Sequence, residues 1–123
     1  MADKRSGWNA GRRKRRTGPA PAGEQILVVG LGRFGGAVAA ELVELNFEVL
    51  GIDPDPARVQ QYSDVLTHVV QADATSDEVL RQLGVEDYRY AVVGIGSDIE
   101  ASVLTTASLA DCGVPTIWAK AVT

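Results

Sequence analysis

From Gln25 onward, short apolar runs alternate with stretches in which apolar residues recur every three or four positions, as when strands and helices alternate on a parallel sheet. Ile26-Leu27-Val28-Val29 is a continuous apolar run ending at Gly30, which reads as a strand buried on both faces. Phe34, Val38, Leu42 and Leu45 then share one face of a first helix. Phe47 to Ile52, closed by Asp53, gives strand two. Asp55 before Pro56 is an N-cap with proline at the first helical position, opening a short helix to about Tyr62. Thr67 to Gln71 is strand three. Thr75 and Glu78 form a capping box for a helix that stops near Leu83-Gly84. Tyr90 to Ile95 is strand four. Ser97 and Glu100 form a second capping box, and the helix they open runs to Asp111-Cys112 before Gly113 and Pro115 end it. Thr116 to Lys120 is strand five.

Five strands and four helices in alternation predict an α/β fold: a Rossmann-like doubly wound parallel sheet in the order 3-2-1-4-5. With 123 residues there is room for one domain, able to bury roughly two-thirds of its unfolded surface. No apolar run approaches the ~18 residues of a membrane span. Cys112 is the lone cysteine, so no internal disulfide forms, and no leader pattern stands at the N-terminus; both favour the cytoplasm.

Charge divides the chain in two. The first sixteen residues carry seven of the twelve Lys and Arg against a single acid, Asp3, so a basic arm precedes a strongly acidic body. Residues 1–24, rich in Gly, Ala, Pro and Arg, are expected to be a disordered arm because they bury too little to offset ordering entropy. The run Arg12 to Arg16 reads as a solvated tail, or as a segment that touches acidic lipid or RNA. The acidic body argues against nucleic acid as its partner.

Gly30-Leu31-Gly32-Arg33-Phe34-Gly35 joins strand one to helix one, and that context gives its glycines tasks. Gly30 permits the tight turn, Gly32 lets the backbone approach a pyrophosphate, and Gly35 lets the helix press on the sheet. The exposed N–H groups at the helix start form an anion site; the bland alternative is glycines that only shape a turn. Asp53, at the end of strand two, lies where a carboxylate accepts from ribose hydroxyls and repels a 2′-phosphate, favouring ADP, ATP or NAD(H) over NADP, unless it only caps the next turn. Asp73, followed by Ala74, falls at the rim of an adenine pocket or caps a turn. Gly94-Ile95-Gly96 ends strand four at the topological switch point, where its backbone can face the ligand. Arg33 can reach phosphate oxygens from the helix start, or is a surface arginine. Catalytic groups are not evident: His68 has no partner in the pattern, Cys112 reads as a small buried hydrophobe, and no His or Cys pair has metal-ligand spacing.

Taken in order, Val29 to Gly36, Glu48 to Asp53, Gln71 to Thr75, Ala91 to Gly96 and Thr116 to Ala121 closely resemble the RCK or KTN (TrkA-N) domains of Trk/Ktr-type potassium-uptake regulators, most of all the KtrA branch. The resemblance covers about residues 25–123. It implies a cytoplasmic, non-enzymatic subunit, peripheral to the membrane through its partner, that assembles as dimers or rings and gates a potassium transporter according to bound ATP, ADP or NAD(H). Carried across, Gly30, Gly32 and Gly35 would hold phosphates, Asp53 the ribose and Asp73 the adenine edge. Arg33 matches the arginine that, in the KtrA-like branch, reaches the terminal phosphate of ATP held by a neighbouring subunit. The family domain usually continues with a further helix and a sixth strand, and often with a ligand-sensing domain. This sequence reaches Thr123 after strand five, as a domain truncated at its C-terminal end would. Two other readings stand beside this one: an NAD(H)-binding domain of an oxidoreductase, and an interaction domain whose nucleotide pocket is vestigial.

Overall fold

The computed structural model of the protein describes residues 24–96 and 98–120. Apart from Glu24, the basic arm lies outside the described residues, and so does the Ser97 cap. The strands are β1 (Gln25–Val29), β2 (Glu48–Asp53), β3 (His68–Gln71), β4 (Tyr90–Val93) and β5 (Thr116–Ala119). Between them lie α1 (Arg33–Glu44), α2 (Pro56–Tyr62), α3 (Asp77–Gln82) with a following 3-10 turn (Val85–Asp87), and α4 (Ile99–Asp111). All pairings are parallel, in the order β3-β2-β1-β4-β5. The chain builds outward through β2 and β3, then returns to the far side of β1, so the switch point lies between β1 and β4.

Side chains of β1 alternate between two apolar layers, which is why its sequence is apolar throughout. Leu27 and Val29 join Leu50, Ile52, Leu80, Val93 and Leu109 on one face, while Ile26 and Val28 join Leu31, Val49 and Leu66 on the other. Each fully buried residue such as Leu27 contributes about 1.5–3 kcal/mol of transfer free energy.

Four elements differ in detail from the sequence pattern. Helix α1 does not bury the stripe from Phe34 to Leu45: these two ends are 38% and 43% exposed, and the buried residues are Gly35, Gly36 and Ala39. Small residues allow the close approach, because a Cβ on Gly36 would collide with the Tyr62 hydroxyl. The cap of α3 is Ser76, whose hydroxyl accepts from Val79 N–H, because Thr75 is engaged by Asp73 instead. The cap of α4 is Asp98, a better acceptor that stands directly before the helix and receives Ala101 N–H at 2.9 Å. Strand β4 ends at Val93, so Gly94 and Ile95 belong to the loop.

Candidate functional site

Strand register builds the site. Val29 pairs with Ile52 and Val93, Asp53 with Gln71, and Val93 with Ala119. The carboxyl ends are therefore nearly level, and Gly30, Asp53, Ala72, Gly94 and Lys120 share one edge of the sheet. A cavity of about 520 Å³ opens there, within the usual range for small-molecule sites.

The glycine turn forms one wall. Gly30 has φ +92, its N–H donates to the Ile52 carbonyl at 2.8 Å, and a Cβ on it would lie 2.7 Å from the Gly94 carbonyl oxygen. At Gly35 a Cβ would run into the Gly30 carbonyl. Gly32 is different. Its Cβ would meet only the Arg58 guanidinium, at 3.4 Å, an ordinary contact, so the protein's own packing does not demand glycine there. Gly32 is also the N-cap of α1, and no side chain caps that helix. The first-turn N–H groups have no intrahelical acceptor and sit at the positive end of the helix dipole, a natural seat for an anion.

Asp53 fixes this turn from the end of β2. It is 2% exposed; Oδ2 accepts from Leu31 N–H at 2.7 Å and Oδ1 from Asp55 N–H at 2.8 Å. Arg58 Nη1 stands 3.7 Å from Oδ2. A buried carboxylate requires such partners, and each oxygen keeps a second lone pair for a ligand hydroxyl. The cap of α2 is Asp55, accepting from Ala57 N–H at 2.9 Å, so Asp53 serves the turn and not the helix.

Asp73 is exposed on the opposite wall. Its Oδ1 accepts from the Thr75 hydroxyl at 2.6 Å and the Thr75 amide at 2.9 Å. These two bonds, the hydroxyl's first, hold its carboxyl below the ordinary 3.8 despite a small opposing effect of burial. The turn-capping role is thus present, and Oδ2 carries no hydrogen bond among the described residues. Ala74, Gly94, Ile95 and Gly96 line the cavity with it, as do Gly30, Gly32, Arg33 and Phe34. Leu31 and Gly35 lie behind the wall: Leu31 gives its side chain to the core and its amide to Asp53. Arg33 is exposed and makes no ion pair among the described residues.

Among the described residues one buried side-chain oxygen of this cavity lacks a partner. Thr105, in α4, is fully buried and lines the cavity, and its Oγ1 has no hydrogen bond. An orphaned hydroxyl costs about 1–3 kcal/mol unless something polar meets it. Elsewhere on the cavity wall Ile52, Ala72, Ala74, Ile95 and Ala101 offer apolar surface. Apolar walls with one orphan hydroxyl suit a purine base, the buried carboxylate suits ribose hydroxyls, and the open helix start suits phosphate. The residues present fit an adenosine phosphate.

Sequence reasoning missed Thr105, Arg58 and Lys120, all on the cavity wall. Thr105 follows Ala101 by one helical turn, a spacing that a helical projection of α4 would have revealed. Arg58 sits in the first turn of a helix with no buried residue, so no pattern marked it. Lys120 is one residue beyond β5, where the same edge rule that singled out Asp53 applies. His68 lies exposed at the start of β3, and burial pushes the Cys112 thiol above its ordinary 9.0. No His, Cys, Asp and Glu cluster among the described residues is arranged to hold a metal, and no described helix is long and apolar enough to cross a membrane.

Comparison with known proteins agrees with this architecture. The chain is 43% identical over 98 residues to the Ktr system potassium uptake protein A of Bacillus subtilis (strain 168), covering 80% of this chain and 44% of that protein. It therefore spans less than half the length of that relative. Among solved structures, the NAD(P)-binding domain of an exopolyphosphatase-related protein from Archaeoglobus fulgidus superposes with a TM-score of 0.71 at 21% identity, over 80% of this chain and 73% of that one. The Kef CTD of Shewanella denitrificans in AMP-bound form gives a TM-score of 0.68 at 21% identity, over 80% and 60%. At that identity the two structures speak for the fold alone. The family description TrkA-N domain matches residues 26–123, and with that match and the Bacillus relative the chain belongs to the TrkA-N family.

Proposed function

We propose that the chain is the nucleotide-binding regulatory domain of a potassium-uptake system, with residues 25–123 as its folded unit. It binds an adenine nucleotide, ATP or ADP, and gates a membrane potassium-transport subunit from the cytoplasmic side, working as a dimer or ring. The observation that carries this reading is the cavity at the strand ends, where an uncapped helix start, a buried carboxylate and an orphaned hydroxyl meet in one space. The amides of Gly32, Arg33 and Phe34 take phosphate oxygens, Asp53 takes the ribose, and the base lies between Ala74 and Ile95 with Asp73 at its edge. The relative named potassium uptake protein A supports the partner.

The site is built to bind and not to transform. Asp53 commits each oxygen to a backbone amide and Asp73 commits Oδ1 to Thr75, so both carboxylates are held in place as hydrogen-bond acceptors for a ligand. Switching then rests on differential affinity: ATP and ADP differ by one phosphate, and only a group that meets that phosphate can shift the assembly. Arg33, exposed at the start of α1, is the residue we assign to meet it, from a neighbouring copy of the chain. The test is affinity capture from detergent-solubilised membranes with the immobilised chain, eluting with ATP or ADP. Retention of a potassium-transport subunit, released differently by the two nucleotides, is expected; capture of a dehydrogenase catalytic domain instead overturns the assignment.

A further inference from the structure

Strand register fixes what stands beside the point where the basic arm joins the sheet. Glu24 is tied down there, its carbonyl accepting from Glu48 N–H at 2.7 Å. On the other side of β1, Ile26 pairs with Tyr90 and Tyr90 with Thr116, so β5 runs two strands, or about 10 Å, from β1. Arg89, Tyr90 and Trp118 stack at this corner. The Arg89 guanidinium carbon lies 5.7 Å from the centroid of the Tyr90 ring, and the Tyr90 and Trp118 rings are 5.8 Å apart at an interplanar angle of 13°. Tyr90 packs on the layer of Val28 and Ala39, whereas α4 meets β5 from the opposite face, where Ile117 joins Leu109. Trp118, on the outer strand of the described sheet, is left 55% exposed. A tryptophan and a tyrosine beside an arginine suit the boundary between lipid headgroups and hydrocarbon, where a ring finds an apolar side and a wet one.

The body by itself does not seek an anionic surface. Residues 24–123 hold five Lys and Arg against fifteen Asp and Glu, and Glu24 and Glu48 stand on the β2 side of this same edge. Residues 1–23 reverse the balance, with seven Lys and Arg, one Asp and an aromatic residue, Trp8. Eight residue steps separate Arg16 from Glu24, which keeps Arg16 within about 30 Å of the edge. We propose that the arm and the Tyr90–Trp118 stack form one docking surface for an anionic lipid bilayer. The arm supplies the attraction, since each cation near a charged leaflet adds to it, and Trp118 enters the headgroup layer. Single-stranded RNA needs a row of free rings for successive bases, and here Tyr90 spends its ring on Arg89 and Trp118, leaving one. The stack lies toward the amino ends of the strands and the cavity opens at their carboxyl ends, so a nucleotide can enter with the bilayer in place, and the proposal does not depend on the nucleotide reading.

Co-sedimentation of the full chain with lipid vesicles tests this, with the melting midpoint of each variant as the folding control. Wild type is expected to bind phosphatidylcholine vesicles containing about a third phosphatidylglycerol at least about tenfold more tightly than phosphatidylcholine alone, and to lose at least about tenfold between about 0.05 and about 0.5 M salt. The combined variant Arg12→Ser, Arg13→Ser, Lys14→Ser, Arg15→Ser and Arg16→Ser should fall to the level of the neutral vesicles. Trp118→Ser should weaken binding by about threefold or more. The sequence has two tryptophans, so in Trp8→Phe the emission comes from Trp118; it should shift to the blue on anionic vesicles and be quenched by brominated lipid. Equal binding to both kinds of vesicle, or binding to neither, overturns the proposal. So does a Trp118 that stays unquenched while Trp118→Ser binds as wild type does, since the arm would then act without the stack. Binding to poly(U) that is tighter than to anionic vesicles and quenches Trp118 overturns it in favour of single-stranded RNA.

Discussion

Gly35 and Gly32 separate what the fold requires from what a ligand requires. A Cβ at Gly35 has nowhere to go, since the Gly30 carbonyl occupies its place, whereas one at Gly32 meets only a movable guanidinium. Gly35→Ala should therefore lower the melting midpoint sharply or prevent folding, while Gly32→Ala should stay within about 0.5 kcal/mol of wild type in urea unfolding and lose nucleotide affinity. Thr105→Val exchanges an orphaned hydroxyl for a methyl of the same shape. The ligand-free protein should gain about 1 kcal/mol in the same unfolding experiment and bind nucleotide more weakly by titration calorimetry. Cys112 adds a pH dependence: the unfolded thiol ionises near 9.0 and the buried one higher, so its contribution to stability is intact below pH 9 and declines as pH rises past it. Cys112→Ser should flatten that alkaline decline. Asp53 and the glycine turn were legible in the sequence because a strand end and a helix start mark them. Arg58 and Thr105 were not, since only the packing of α2 and α4 onto the sheet brings them to the cavity.

Among the elements, the sequence located the five strands and four α-helices of the described residues, but it missed the 3-10 turn after α3 and misread how some elements begin and what α1 buries. A capping box needs its serine or threonine free, and Thr75 is held by Asp73 while Ser76 caps α3. Ser76→Ala should thus cost about 1 kcal/mol in urea unfolding, and Glu78→Ala within about 0.5 kcal/mol of nothing. Helix α1 shows a different limit of pattern reading. Periodicity finds large apolar residues, yet the face pressed on the sheet is Gly35, Gly36 and Ala39, selected for smallness where backbone meets backbone. The same closeness brings the uncapped start of α1 against the strand ends, so the packing of this helix and the anion site are one feature.

At the scale of the whole molecule, strand order was readable because alternating strands and helices leave few topologies, and an all-apolar β1 must be central. That order also locates the crevice, since Gly30 and Gly94 become neighbours only when β1 and β4 pair. The central claim is that an adenine nucleotide binds at this crevice through the backbone at Gly32. The direct measurement is the melting midpoint of wild type and Gly32→Ala with and without ATP at about 100 times its dissociation constant, where binding adds about 2.7 kcal/mol. At roughly 4 °C per kcal/mol, wild type should rise by about 10 °C and Gly32→Ala, starting from the same ligand-free midpoint, by much less. An unmoved wild-type midpoint with ATP and with ADP, or a Gly32→Ala variant that responds as wild type does, would contradict the account.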